Sequence, residues 1–250
     1  MGAHDDAGRL ILRLRQWAQR AERLDGPVPG RFLAGDERAV ALREARQAGV
    51  TVSFDGGWPE AERVQVCFHP AGTEPVFTGV WLRIRWNGRF ARVDHRDLLG
   101  SLMTLGIERA YFGDLIVQDG EAYLLTLPEA ACRLSQEWLK AGSASIRVDV
   151  LDKPPTIRPP EGMTLRDTVA SLRLDSVLAS GMKTSRARAA ELIRQGAVSV
   201  EHLPEERVDR LMTAGQTISV RGFGRIRLMT VGAPTRKDRL PVALEIFAKS

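Results

Sequence analysis

The chain has 250 residues, 44% of them hydrophobic and 27% charged, which excludes a disordered or fibrous protein and leaves enough apolar side chain for two or three small cores. Against 31 Asp and Glu stand 36 Lys and Arg, a formal net charge of +5 with a pI near 9.7; this favours a polyanionic partner, and the position of the charge matters more than its total. Cys67 and Cys132 are far apart and lack metal-ligand spacing, so they read as ordinary core thiols of a cytoplasmic protein, and no apolar run approaches the roughly 18 residues of a membrane span or the h-region of a signal peptide.

From Arg9 to Leu24 the apolar residues Leu10, Leu14, Trp17, Ala21 and Leu24 recur at helical spacing, with Arg13, Arg20 and Arg23 between them. That is an amphipathic helix whose basic side is either a contact for phosphate or a membrane surface, or a solvated face over a packed stripe. Gly26 to Gly30, GPVPG, reads as a loop. Asp36 is placed to cap a second helix that runs to Gln47 and closes at Gly49, followed by strands over Val50–Phe54 and Arg63–Phe68 around a turn at Asp55–Pro59. Residues 1–73 form a first small α+β unit on this reading.

In residues 74–151 the pattern changes. Val80, Leu82, Ile84 and Trp86 share one face of a strand and Arg83 and Arg85 the other. A helix is predicted over Asp94–Leu105, then a hairpin of Asp114–Gln118 and Ala122–Leu127 across Asp119-Gly120, a helix from Glu129 to Lys140 with Pro128 in its first turn, and a strand over Ile146–Val150. The order βαββαβ is that of a ferredoxin-like or RRM-like fold, although no RNP1 sequence is present. His95-Arg96-Asp97 has neither the Asn offset nor the Gly-rich loop of a kinase, and Asp94 and Asp97 read instead as helix-start residues. Residues 152–162, with four of the 13 prolines, read as a stiff, extended linker.

In the C-terminal block, 163–250, the stretch from Leu165 to Val200 reads as two short helices and the start of a strand. The first carries Val169, Leu172, Val177 and Leu178 and is stopped by Gly181; the second is capped by Thr184 or Ser185, buries Ala189, Ala190 and Ile193, and ends at Gly196. Lys183, Arg186, Arg188 and Arg194 gather around the free N–H groups of that second helix, a site sized for phosphate. Strands follow over Thr217–Arg221 and Arg225–Val231, joined by Gly222-Phe223-Gly224, and Pro241–Phe247 is the last. Phe223 reads equally as a base-stacking residue or as a packed hairpin tip. The four histidines, His4, His69, His95 and His202, assemble no nucleophile or metal set, so neither a metal nor a cofactor is expected.

The run RLDSVLASGMKTSRARAAELIRQGAVSVEH, with MTAGQTISVRGFGR after it, resembles an S4-like RNA-binding domain through Arg173, Asp175, Leu178, Ser185, Arg186, Ala189, Ile193, Gly196, Val198, Gly215 and Arg221, departing from it at His202, where Asn is usual. Together with GGWPEAERVQV and HRDLLGSLMTLGIER, the chain resembles the YlmH-type S4-domain proteins. The resemblance implies an α+β protein of three small domains and a non-catalytic, monomeric RNA-binding function, with ribosomal RNA of the large subunit as target and tRNA as another. RNA contacts would fall on Arg173, Lys183, Thr184, Ser185, Arg186, Arg188, Arg194, Gln195, Arg221, Arg225, Arg236, Lys237 and Arg239, forming one continuous positive surface. Two other functions compete: an RNA-modifying enzyme of pseudouridine-synthase type, for which the Gly-Arg-Leu-Asp setting is missing, and an adaptor linked to cell division.

Overall fold

The computed structural model describes residues 2–88, 93–159 and 161–248; Pro160 of the predicted linker and the last two residues of the C-terminal block lie outside them. The chain divides into two compact units, Met1–Arg158 and Pro159–Ser250.

In the first unit, α1 (Gly2–Leu24) buries Leu14, Ala18 and Ala21. Of the segment read as a loop, Gly26 and Pro27 keep that form, but Val28 to Gly30 open a strand, β1 (Val28–Leu33). Gly30 is needed there because a Cβ would stand 2.7 Å from the Trp17 ring and from Val66, and Pro29 is tolerated because β1 is an edge strand with a register shift between Pro29 and Phe32. Next, α2 (Gly35–Gln47) starts at Ala34 rather than at Asp36, and Ala34 donates its N–H to the Glu37 carboxylate at 2.6 Å. With β2 (Thr51–Asp55) and β3 (Val64–His69) the order is β1-β3-β2, all antiparallel, and α1 and α2 pack over Val66 and Phe68.

The same unit holds β4 (Val80–Trp86), α3 (His95–Thr104), β5 (Phe112–Gln118), β6 (Glu121–Thr126), α4 (Pro128–Glu137), β7 (Lys140–Ala141) and β8 (Ala144–Leu151). Their antiparallel order β5-β6-β4-β8-β7 carries the predicted ferredoxin-like arrangement, with Leu82, Ile84, Leu124 and Val148 packed against Leu98, Leu102 and Leu134. Asp94 accepts the Asp97 N–H at 2.9 Å and Asp97 accepts that of Asp94 at 3.2 Å, so this pair is a capping box. The α4 helix ends at Glu137, short of the predicted Lys140, because Trp138 turns inward, fully buried, and donates to Ser101 Oγ at 2.8 Å. Cys67 is a core thiol, but Cys132 lies exposed on α4. The start of the predicted linker is anchored: the Gln118 amide donates to Thr156 O and accepts the Arg158 N–H, while Arg158 pairs with Asp119 at 3.1 Å.

The second unit contains β9 (Met163–Val169), α5 (Leu174–Gly181), α6 (Arg186–Arg194), β10 (Val198–Val200), β11 (Leu203–Pro204), β12 (Thr217–Val220), β13 (Gly224–Val231) and β14 (Leu240–Ala248), in an antiparallel sheet of order β11-β10-β12-β13-β14-β9. Residues 165–169, predicted helical, form part of β9 instead; pairing with β14 along seven positions supplies the backbone partners. The two helices cover Ile218, Val220, Ile226, Leu228, Val242 and Leu244.

Candidate RNA-binding surface

The turn between α5 and α6 is built differently from the sequence expectation. Gly181 is the last residue of α5 and is buried against Ile226, where a Cβ would stand 2.7 Å from the isoleucine side chain. Gly181 is therefore required for close packing, and the left-handed residue that closes the helix is Lys183, with φ 50°. Ala179 O accepts the Thr184 N–H at 3.0 Å. Ser185, not Thr184, caps α6 by accepting the Arg188 N–H at 3.1 Å. Gly196 leaves α6 at φ 66°, as predicted.

Asp175 locks the two helices together. It is 4% exposed and accepts Arg186 Nη2 at 2.6 Å through one oxygen and Arg173 Nε at 3.2 Å through the other. Burial pushes this carboxyl up, but the two guanidinium groups outweigh it and hold its pKa below the ordinary value. Arg173 and Arg186, predicted as RNA contacts, are thus first of all internal partners, each keeping part of its guanidinium exposed. A second lock escaped the sequence reading: Glu205 accepts from Arg207 and from Arg210 at 2.7 Å, which brings its pKa down to about 2 against the opposing effect of burial. The signal for it is the spacing Glu205, Arg207, Arg210 in a loop whose backbone tethers α5, through Leu174 N–H to Arg210 O and Asp175 N–H to Val208 O.

Among the remaining predicted contacts, Lys183, Arg194, Arg221, Arg236 and Lys237 are exposed. Arg188 pairs on the helix surface with Glu191 at 2.6 Å, and the Gln195 amide donates to the same Glu191 at 3.0 Å; such pairs are weak and yield readily to phosphate. Arg194 sits at the end of α6, not around its start. Arg221 lies beside that end, since its N–H donates to Ala197 O at 2.9 Å. Arg225 lies over Phe247, 5.5 Å from the ring centroid, and Phe223, half-buried, packs against the core of the sheet. Arg239 bonds to Thr168. The β13–β14 register separates Arg221 and Arg225 at one end of the hairpin from Arg236, Lys237 and Arg239 at the other by seven residues of strand, about 23 Å. The basic residues therefore fall into two groups, one at each end of the hairpin. Among the described residues no cluster of three or more His, Cys, Asp or Glu is placed to hold a metal, and no helix is long and apolar enough to cross a membrane.

A family model described as "Putative RNA-binding domain in YlmH" matches residues 73–153, and the S4 domain model matches residues 172–209, from the start of the helix pair to the Glu205 loop. The ribosome-associated protein quality control protein P2 of Bacillus subtilis (strain 168) is 32% identical over 218 residues, covering 86% of this chain and 85% of that protein. A likeness at 21% identity and a TM-score of 0.48 is found to the solved structure of cell division protein ylmH from Streptococcus pneumoniae, across 60% of this chain and 93% of that one. With both family models falling on blocks already defined by their packing, and a relative of that identity along most of both lengths, the chain belongs to the family of YlmH-type S4-domain proteins.

Proposed function

We propose that this protein is a non-catalytic RNA-binding protein of the ribosome that docks on ribosomal RNA of the large subunit through the α5–α6 pair. The observation that carries the reading is the division of labour on that pair: Asp175 fixes the helices through Arg173 and Arg186, while Lys183, Arg188 and Arg194 remain at the surface. The name of the Bacillus subtilis relative, which is that of a ribosome-associated quality control protein, supports a ribosomal setting. Cations at the surface displace counterions from phosphates, so binding falls steeply as salt rises.

The test is sedimentation of the tagged protein in lysate gradients at low and high salt, for wild type and for Lys183→Ala with Arg194→Ala. Salt-sensitive comigration with large subunits is expected, and the double variant should lower the slope of log affinity against log salt by roughly one to two. Protein that stays at the top of the gradient at low salt, or an unchanged slope, overturns the reading. Arg186 is unsuited to this test because its loss also strands Asp175.

A further inference from the structure

The sheet of the second unit buries one face beneath α5 and α6 and turns the other away. Alternation along the strands puts Thr164, Arg166 and Thr168 of β9, Thr217 and Ser219 of β12, Arg225 and Arg227 of β13, and Ala243, Glu245 and Phe247 of β14 on this second face, and not one of them is buried. Arg221 continues the alternation of β12, and Arg239 reaches over it to bond Thr168.

The chemistry of the face is one-sided. Five arginines, Arg166, Arg221, Arg225, Arg227 and Arg239, meet one carboxylate, Glu245, among the described residues of this face; Asp167 of β9 alternates to the other face, where it accepts from Ser180 and also attracts Arg239. Glu245 offsets little, standing 3.9 Å from Arg227. At one end both Arg225, at 5.5 Å, and Arg227, at 5.7 Å, stand by the centroid of the Phe247 ring, a layer of guanidinium and phenyl groups. Gly162 packs against the ring edge and Glu245, where a Cβ would stand 2.8 Å from the ring and closer still to Glu245, so only glycine allows that close approach. The residues of this face lie outside the stretch that matches the S4 domain, 172–209.

We infer that this open face is a second RNA contact, a platform for a single-stranded segment. Bases stack on the layer of Arg225, Phe247 and Arg227, and the phosphates on either side meet Arg166, Arg221 and Arg239. Stacking on aromatic and guanidinium planes tolerates any base, so the platform is sequence-tolerant and salt-dependent. The partner class rests on the function proposed above, whereas the site is separate from the helix pair.

The test uses the full chain and a fluorescent ten-nucleotide oligouridylate, followed by polarisation. Phe247→Leu, which keeps the apolar packing, should weaken binding about tenfold, and Phe247→Tyr should stay within about twofold of wild type. Arg166→Gln should lower the salt slope by about one. Binding by Phe247→Leu and Arg166→Gln at wild-type strength overturns the inference, and so does equal competition by an oligoglutamate of matched length, because a surface that senses charge alone needs no ring. Lys183→Ala with Arg194→Ala should reduce comigration with large subunits, and in that background Phe247→Leu should still weaken oligouridylate binding about tenfold, so failure of this inference and failure of the proposed function give different results.

Discussion

Arg38, Arg63 and Arg109 in the first unit and Lys183, Arg188 and Arg194 in the second are both clusters of cations, and they do opposite things. In the first unit Arg63 donates to Phe112 O, Phe32 O and Arg109 O, Arg109 to Phe112 O and Gly113 O, and Arg38 to Ala61 O and Glu62 O. Burial lowers the pKa of all three, that of Arg109 to about 10, with the neighbouring Arg63 adding to the effect. Asp114 sits among them, accepting from Trp58 Nε1 and from the N–H groups of Glu62 and Arg63, and burial raises its carboxyl pKa. These cations join the β1-β3-β2 sheet to the β5 strand. In the second unit the cations stand on a helix surface and are available to an outside anion. An arginine surrounded by backbone carbonyls is structural, and one surrounded by water can take up phosphate.

The comparison can be broken most severely at Arg63. Arg63→Ala removes three carbonyl bonds and should destabilise the first unit by about 3 kcal/mol in chemical denaturation, leaving salt-dependent RNA binding by the second unit unchanged. A smaller loss is expected in the second unit, where Arg186→Ala strands the buried Asp175 with one partner and should cost about 2 kcal/mol; adding Asp175→Asn should recover part of it, since the uncompensated charge is then gone. Equal stability of the single and double variants would show that the pair does not hold the helices.

Acid sharpens the same contrast. Glu205 is held at about 2 against an ordinary 4.5, so its contribution is fully present above about pH 4.5 and is lost as pH falls toward 2; Asp175, shifted in the same direction, adds to this. Thermal unfolding of the second unit should show a midpoint that drops through this window, and Glu205→Gln should flatten the drop. The smallest expected effect is at Lys183, a non-glycine residue at φ 50°. Lys183→Gly should stabilise the unit by about 0.5–1 kcal/mol while weakening RNA binding, separating stability from function at one position. A fall in both would mean that the lysine side chain supports the fold.

Much of this was legible in the chain. Asp119 and Gly120, at φ 52° and 78°, form the predicted hairpin turn, and Asp94 the predicted cap, because both depend on a few adjacent residues. The helix pair was legible because its alanines, its capping Ser185 and its closing Gly196 are local signals. His202, the departure from the S4-like pattern, adopts φ 66° beside Glu201 at 51° in the two-residue connection of β10 and β11, so the turn keeps the left-handed form that Asn favours. What misled were residues whose local preference is overruled at a distance. Gly30 and Pro29 read as a loop until β3 pairs with them, and Leu165 to Val169 fit a helix until β14 lies alongside.

The sequence by itself determined the two chemistries, a ferredoxin-like order of elements and a basic helix pair, because periodicity, capping and charge are written over spans of ten or twenty residues. Only the tertiary structure decided which cations are spent internally and which face outward. Arg173 and Arg186 are claimed by Asp175 and Arg63 by three carbonyls, each through a contact made by folding and not by neighbourhood along the chain. A guanidinium reaches whichever oxygen or ring the fold brings within a few ångströms, and that distance is set by strand register and helix packing.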